Sequence, residues 1–289
     1  MAILITGATG FIGRELAPRL AGSHEVVCLS RGGKALGRDD AGCVHVRGSF
    51  DRFEDLRQLD AYRIDTVIHL AAVTGGCSEE DGLSVNVLGT RRLFRYLLDR
   101  GAVRFVSASS VAAPGCLGSG FLPERLPIPD EHPCLATDAY GLSKAMAEQI
   151  SHYFHRLHPD TRFVNLRLGA VVGADWTSQP VDAGTKLTIP FVRLSHVYVS
   201  DIVAGIVRTV EAELPPGVHT WNLVGPDSSC SIPTADMLRA VLGDRAADYD
   251  LSYYEQSGHA HKPVFDMRAI ADAIGFYPQR SMRAQPASR

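Results

Sequence analysis

The first fourteen residues constrain the fold of this chain more strongly than any other stretch. Residues 2–6 are an apolar run with two β-branched isoleucines and the length of a buried strand, and helical spacing follows from residue 14. The sequence GATGFIG joins the two. At this spacing, Gly7 permits a tight turn, Gly10 lets the backbone approach a pyrophosphate, and Gly13 lets the helix pack closely on the strand. The order of strand, glycine turn and helix therefore predicts a dinucleotide-binding turn.

The composition is that of a globular protein without an unusual charge. Of 289 residues, 45% are hydrophobic and 21% are charged, and the formal net charge is −3. This balance gives no reason to expect nucleic acid or an anionic membrane as a partner. No apolar run approaches the ~20 residues of a membrane span, and the N-terminus lacks a signal-peptide pattern, so we expect a cytoplasmic protein.

The six cysteines form no C-x-x-C pair, which predicts reduced thiols and no metal site.

Strand and helix patterns alternate along the chain. Apolar runs typical of parallel strands lie at 2–6, 25–29, 43–47, 66–72, 103–107, 161–168 and 218–223, and helical patterns lie at 14–20, 51–62, 81–100, 138–155, 201–210, 232–242 and 268–274. This alternation predicts the α/β class, with a Rossmann-type doubly wound parallel sheet and a small C-terminal substrate-binding lobe. Ligands bind at the carboxyl ends of the strands in such sheets, and Gly7, Ser30, Ala72 and Ser110 all lie at predicted strand ends.

The predicted elements also suggest domain boundaries. We assign residues 1–168 to the dinucleotide-binding domain, to which 196–224 add a further strand and helix. Residues 169–195 and 225–280 form the predicted substrate lobe, and the polar segment 281–289 is expected to be a disordered tail.

The end of the second predicted strand indicates which dinucleotide is bound. A carboxylate at this position would hold the ribose 2′-hydroxyl of NAD and repel a 2′-phosphate. The chain has Ser30 and Arg31 here, with Lys34 nearby. A hydroxyl and a guanidinium favour a phosphate, so we predict NADP as the preferred cofactor, with NAD as the alternative. The other interpretation of Arg31 is a solvated arginine on a loop.

Tyr140 and Lys144 are four residues apart on one predicted helix, so their side chains share a face. We expect the lysine ammonium to stabilise the phenolate and to lower the pKa of the tyrosine. Ser110, at a preceding strand end, is placed to hydrogen-bond the same substrate oxygen. These three residues are the predicted catalytic group, although Y-x-x-x-K pairs alone are common on solvated helices.

Together these motifs resemble the extended short-chain dehydrogenases/reductases of the NAD-dependent epimerase/dehydratase family. The matching positions are Gly7, Gly10 and Gly13 for G-x-x-G-x-x-G, 69–72 for the fourth-strand signature, Asn86 for the helix asparagine, Ser109 and Ser110 for the segment of the catalytic hydroxyl, and Tyr140 with Lys144 for the active pair. The resemblance covers nearly the whole chain. It implies hydride transfer between the cofactor and a carbinol or ketone carbon, with Tyr140 moving the proton and Lys144 also bonding the nicotinamide ribose.

The resemblance also implies which residues form the binding sites. The implied cofactor site comprises Gly7, Thr9, Gly10, Phe11, Ile12, Gly13, Ser30, Arg31, Ser49, Phe50, Leu70, Ala71, Ala72, Asn86, Ser109, Tyr140, Lys144 and Leu168, and the implied substrate site comprises Thr74, Ser110, Ala170 and Arg193. Ser49 stands where the family often has an aspartate that reads adenine. His196 and Trp176 either line the substrate pocket or serve as packing, and Asn86 is expected to brace the backbone. A homodimer through the two long helices is implied as well.

Departures from the family pattern narrow the expected activity. Val111 and Ala112 follow Ser110 where the 4,6-dehydratases place Asp-Glu, and Val111 also replaces the cysteine of GDP-fucose-synthase-like epimerase-reductases. Ala170 stands where members acting on nucleotide sugars often carry asparagine. We therefore predict an NADPH-dependent ketoreductase acting on a (deoxy)sugar or similar polar ketone. The alternatives are a NAD-dependent sugar epimerase with tightly bound cofactor and a non-catalytic dinucleotide-sensing regulator.

Overall fold

The computed structural model describes residues 2–32, 37–39, 41–177 and 180–283. The strands in this part of the chain are β1 Ala2–Thr6, β2 Glu25–Ser30, β3 Gly37–Arg38, β4 Val44–Arg47, β5 Ile64–His69, β6 Arg104–Ser110, β7 Arg162–Leu168, β8 Ala170–Val172, β9 His196–Tyr198 and β10 Gly217–Leu223. Eight of them form one sheet in the order β10-β7-β6-β5-β1-β2-β4-β3, and β8 pairs with β9 in a separate two-stranded sheet.

The helices connect the strands and cover the sheet. The α-helices are α1 Gly13–Ala21, α2 Phe53–Leu56, α3 Glu79–Asp81, α4 Thr90–Leu98, α5 Ala139–Leu157, α6 Pro190–Arg193, α7 Val199–Glu211, α8 Thr234–Leu242, α9 Ser252–Glu255 and α10 Arg268–Ile274. A π-helical segment, Gly82–Gly89, joins α3 to α4, and 3₁₀ turns lie at Arg57–Ala61 and Gly243–Asp248. In the described residues, no helix is both long and apolar enough to cross a membrane.

All pairings in the large sheet are parallel except that of β3 with β4. The predicted fold class is therefore confirmed. A parallel sheet needs helices on both faces, and β1 is buried along its whole length for this reason. Its alternate side chains enter two cores: Ile3 and Ile5 pack on the face covered by α1 and α7, whereas Leu4 packs on the face covered by α4 and α5. On the second face, the rings of Phe105 and Phe163 stack with centroids 5.0 Å apart.

Several element boundaries differ from the sequence prediction. β5 ends at His69 rather than at residue 72, and the buried His69 ring lies between the hydroxyls of Thr6 (2.7 Å) and Thr90 (2.9 Å). β6 continues to Ser110 instead of ending at 107, and α7 begins at Val199 instead of 201. The short strands β8 and β9 were not predicted, because three-residue strands are too short to show a periodicity.

The C-terminal residues also differ in part from the expected disordered tail. Within 281–283, Arg283 Nη1 donates a hydrogen bond to the Cys230 carbonyl at 3.0 Å. Residues 284–289 lie outside the described residues, as does Lys34. The division into a dinucleotide domain and a substrate lobe stays a prediction.

Candidate active site

The glycine turn is packed so closely that it admits no side chain. Gly7 has φ +76°, and a Cβ there would lie 2.7 Å from the Ala71 backbone nitrogen. A Cβ at Gly13 would lie 2.2 Å from the Gly7 carbonyl oxygen, and one at Gly10 would lie 3.1 Å from the same atom. The distances at Gly7 and Gly13 are shorter than a Cβ contact ordinarily allows, whereas the distance at Gly10 is only tight. Gly7 and Gly13 are therefore required by the close packing of the turn.

A cavity of about 360 Å³ opens over this turn at the carboxyl ends of β1, β2, β4 and β5. Its walls include the sequence-predicted residues Gly7, Thr9, Gly10, Phe11, Ile12, Gly13, Ser30, Arg31, Ser49, Phe50, Leu70, Ala71, Ala72 and Thr74, and also Leu29, Gly48, Asp51, Val73 and Val85, which the sequence analysis did not single out. The first group comes from four strand ends far apart in sequence, so the sheet topology brings them together.

The walls of this cavity fit a dinucleotide. No side chain caps the N-terminus of α1, so the positive dipole end of that helix is available to a pyrophosphate. Among the described residues, the buried Oδ1 of Asp51 has no hydrogen-bond partner. A buried carboxylate oxygen of this kind needs a donor, and a nucleoside offers N–H and O–H groups.

The predicted catalytic side chains come from β6 and α5. Asp138 caps α5 by accepting a hydrogen bond from the Gly141 N–H at 2.8 Å, which fixes the helix start next to Tyr140. Lys144 Nζ donates to the Ala108 carbonyl at 2.7 Å and lies 5.6 Å from the centroid of the Tyr140 ring. The Ser110 side chain lies near enough to the Tyr140 hydroxyl to favour the phenolate and lower the pKa of Tyr140. The Ser110 Oγ also accepts from the Ala112 N–H at 3.1 Å.

The electrostatics of this group correct one expectation from the sequence. Burial raises the pKa of Tyr140 to about 12, although the neighbouring Ser110 acts in the opposite direction. Burial also lowers the pKa of Lys144 to about 8, with the carboxylate of Glu148 opposing it. The sequence analysis expected Lys144 to lower the pKa of Tyr140, but desolvation of the phenol dominates because the ammonium is directed at the Ala108 carbonyl. Tyr140 is therefore a protonated donor at neutral pH.

Asn86 and Ser109 are held in place by other protein groups. Asn86 accepts from the Val73 N–H at 2.8 Å and donates to the Val73 carbonyl (2.9 Å) and to Ser143 Oγ (2.9 Å). It thus fixes the loop after β5, which carries Ala71 and Ala72. Ser109 Oγ donates to Glu148 Oε1 at 2.6 Å. Both residues line a small buried cavity of about 20 Å³ shared with Lys144, rather than the large cavity.

A buried ion pair lies directly behind this group. Arg167 on β7 donates to both carboxylate oxygens of Glu148 at 3.0 and 2.9 Å, and its remaining nitrogen donates to the carbonyls of Asp130 (3.0 Å) and His132 (3.2 Å). Glu148 and Arg167 are 3% and 4% exposed. No sequence motif predicted this pair, although Glu148 falls one helical turn after Lys144 on the same face.

The large cavity is not lined by Ser110, Tyr140 or Lys144, nor by the remaining predicted residues. Leu168 is buried at the end of β7, and its carbonyl accepts from the Val111 N–H at 3.0 Å. Ala170 begins β8, and Arg193 is exposed at the end of α6. His196 is buried against Trp176, with ring centroids 4.7 Å apart, and burial lowers the pKa of His196 to about 4. Both rings therefore pack against each other.

The described residues include no group of three or more His, Cys, Asp or Glu side chains that could hold a metal ion.

The chain matches one protein family along most of its length. Residues 3–223 match the NAD dependent epimerase/dehydratase family. The L-arabinose 1-dehydrogenase (NAD(P)(+)) of Haloferax volcanii is 27% identical over 266 residues, which cover 88% of this chain and 99% of that protein. The UDP-glucose 4-epimerase of Halalkalibacterium halodurans is 29% identical over 190 residues, 61% of this chain and 52% of the epimerase. The chain thus aligns with only about half the length of that epimerase.

Solved structures share the fold. The UDP-glucose 4-epimerase of Bifidobacterium longum, in complex with NAD+ and UDP, superposes with a TM-score of 0.72 at 18% identity, covering 98% of this chain and 95% of the epimerase. A mutated uronate dehydrogenase superposes with a TM-score of 0.67 at 22% identity, covering 97% and 82%. At these identities the likeness is one of fold.

Proposed function

Because this chain belongs to the NAD dependent epimerase/dehydratase family, as the sequence motifs predicted, we propose that it is a ketoreductase that uses NADPH to reduce a carbonyl group on a small sugar-like molecule. Family membership confirms a nicotinamide dinucleotide as the cofactor class. The observation that carries the proposal is the position of Tyr140 on α5, with Lys144 Nζ 5.6 Å from the centroid of its ring and Ser110 nearby at the end of β6. A protonated phenol suits the reductive direction, in which the substrate oxygen gains a proton.

The site residues have distinct roles in this reaction. When bound, the nicotinamide supplies the electron pair of the redox step. Tyr140 donates its hydroxyl proton to the substrate oxygen. Ser110 accepts from the Ala112 N–H, which leaves its own hydroxyl hydrogen for the same oxygen. The Lys144 ammonium, held by the Ala108 carbonyl, stabilises the phenolate that remains on Tyr140.

The residues after Ser110 support simple redox chemistry over elimination of water. Val111 and Ala112 are both buried, at 2% and 0% exposure, and neither side chain carries an acid or a base. An elimination needs a carboxyl group to protonate the leaving hydroxyl and a base to remove a proton from the neighbouring carbon. The chain offers no such pair at these two positions.

One observation supports a free sugar rather than a nucleotide-linked one. The methyl side chain of Ala170 replaces the asparagine expected in members that act on nucleotide sugars. A methyl group cannot hydrogen-bond a diphosphate.

The second candidate is a sugar epimerase that retains its cofactor through oxidation and re-reduction. It is favoured by the relatives named UDP-glucose 4-epimerase, which are 28–30% identical over the 51–62% of the chain that they match. The two candidates differ in whether added cofactor is consumed.

The test uses the purified full chain with NADPH and a panel of free keto sugars, aldoses and UDP-sugars. We expect loss of NADPH absorbance with a free sugar, and no such loss with the Tyr140→Phe variant. Interconversion of UDP-sugar epimers without net NADPH consumption would establish the epimerase instead. Silence across the panel with intact dinucleotide binding would contradict both.

We also propose a homodimer formed through α5. Leu142, Met146, Tyr153 and Leu157 are large apolar side chains on this helix that are 37–51% exposed. A second copy would cover this stripe. Met146→Glu is expected to shift the mass measured by light scattering from dimer to monomer, and a wild-type monomer would contradict the proposal. The cytoplasmic location stays a prediction.

A further inference from the structure

Two hydrogen bonds tie α5 to the end of β6 beside the catalytic pair. Lys144 Nζ donates to the Ala108 carbonyl at 2.7 Å, and Ser109 Oγ donates to Glu148 Oε1 at 2.6 Å. The two bonds join neighbouring residues of the strand to residues one turn apart on the helix. Lys144 and Glu148 therefore project from the same face of α5, where Cβ atoms four residues apart lie about 5–6 Å from one another. Both side chains line the small cavity of about 20 Å³.

The carboxylate of Glu148 is fixed and cannot be screened by water. Arg167 donates to both of its oxygens, at 3.0 and 2.9 Å, and Glu148 is 3% exposed. A charge at this depth acts on its neighbours through a low effective dielectric. Among the described residues, the charge that acts on Lys144 is that of Glu148, and it opposes the lowering of the Lys144 pKa by burial.

Four other described titratable side chains adjoin this pair and carry no charge at neutral pH: His69 on β5, Cys134 in the loop before α5, and Tyr140 and His152 on α5. Burial lowers the pKa values of the two histidines, that of His69 to about 3. Burial also raises the pKa of Tyr140 to about 12 and that of Cys134 to about 11. The negative charge next to the ammonium therefore comes from Glu148.

We propose that Glu148 is a positioning residue for the reaction, which acts through Lys144 by keeping its ammonium charged and fixed beside Tyr140. The inference rests on the proposed function, because it concerns how the phenolate left on Tyr140 is stabilised. Reduction needs the positive charge, since a neutral amine would not stabilise a phenolate. The carboxylate offsets part of the desolvation that favours the neutral amine. Its bond from Ser109 holds β6 where the Ala108 carbonyl meets Lys144 Nζ.

The pH dependence of turnover distinguishes this role from a structural one. Glu148→Gln keeps a side chain of the same shape, which can still accept from Ser109, but removes the negative charge. The kcat for reduction should then fall at a pH at least about one unit lower than in the wild type, because an opposite charge this close shifts a pKa by that amount or more.

Carbamylation by cyanate measures the same titration without a substrate. Cyanate reacts with the neutral amine, so the rate at which the Lys144 peptide gains the label, followed by mass spectrometry as a function of pH, reports the charge on Lys144. The half-maximal rate should lie at lower pH in Glu148→Gln. Since that variant leaves Arg167 with a weaker partner, Glu148→Gln combined with Arg167→Met removes both buried charges and serves as a second variant. Its shift should have the same sign.

Ser151→Ala is the matched control. Ser151 is 1% exposed on the same helix, and its hydroxyl donates to Asn165 Oδ1 on β7 at 3.0 Å. The variant loses a buried contact between α5 and the sheet but no charge, so it should lower Tm and leave both pH profiles in place. Wild-type profiles in Glu148→Gln and in the double variant would overturn the inference, whatever happens to Tm. A wild type without NADPH turnover would refute the proposed function, and the carbamylation profiles would still test Glu148.

Discussion

The buried ion pair behind the active site makes a sharp prediction about stability. Arg167→Met removes the guanidinium and keeps an unbranched apolar chain of similar reach. Glu148 would then lose both charge-assisted hydrogen bonds, at 3.0 and 2.9 Å, and keep Ser109 Oγ at 2.6 Å as its nearest donor. The carbonyls of Asp130 and His132 would lose their donor as well.

The magnitude follows from the burial of the pair. Because Glu148 is only 3% exposed, water cannot replace the lost partner, and breaking such a pair costs about 3–5 kcal/mol. For a chain of this size, about 1 kcal/mol corresponds to roughly 2–4 °C in Tm, so we expect a fall of about 10 °C. Removing both charges, in Arg167→Met with Glu148→Leu, should restore part of the loss because no buried charge is left unpaired.

Thermal unfolding followed by circular dichroism measures this effect. The exposed pair of Arg245 with Asp248, at 61% and 54% exposure, supplies the control. Because both side chains are solvated, Arg245→Met should lower Tm much less than Arg167→Met does. If Arg167→Met lowers Tm no more than Arg245→Met does, or if the double variant is less stable than Arg167→Met, the reasoning from burial is wrong.

Three further predictions concern the site itself. Tyr140→Phe should reduce turnover by about 10²–10⁴-fold, the usual contribution of a general acid, and leave dinucleotide affinity unchanged; equal turnover would remove Tyr140 from the mechanism. Gly13→Ala places a methyl group 2.2 Å from the Gly7 carbonyl and should abolish dinucleotide binding, whereas Gly22→Ala, 3.6 Å from its nearest neighbour, should not. Since the pKa of Lys144 is about 8 and that of Tyr140 about 12, kcat for reduction should fall as the pH rises through about 8; a profile flat up to pH 10 would contradict this.

The fold, the glycine turn and the catalytic pair could be predicted because the sequence patterns that indicate them are local. The glycine spacing, the alternation of strands and helices, and the four-residue interval between Tyr140 and Lys144 are each contained in one short stretch. In a parallel sheet the carboxyl ends of neighbouring strands lie at one edge, as those of β1, β2, β4 and β5 do here. Residues that line the cavity over the glycine turn could therefore be named in advance. The strands β8 and β9 were missed because each is three residues long and their pairing spans a long loop.

What the sequence by itself determined is therefore which residues follow each strand and share each helix face. The tertiary structure alone decided the pairing of Glu148 with Arg167 and the high pKa of Tyr140. The physical reason is that desolvation and charge pairing depend on what surrounds a group in three dimensions. Those neighbours come from strands and helices whose separation in sequence carries no local pattern.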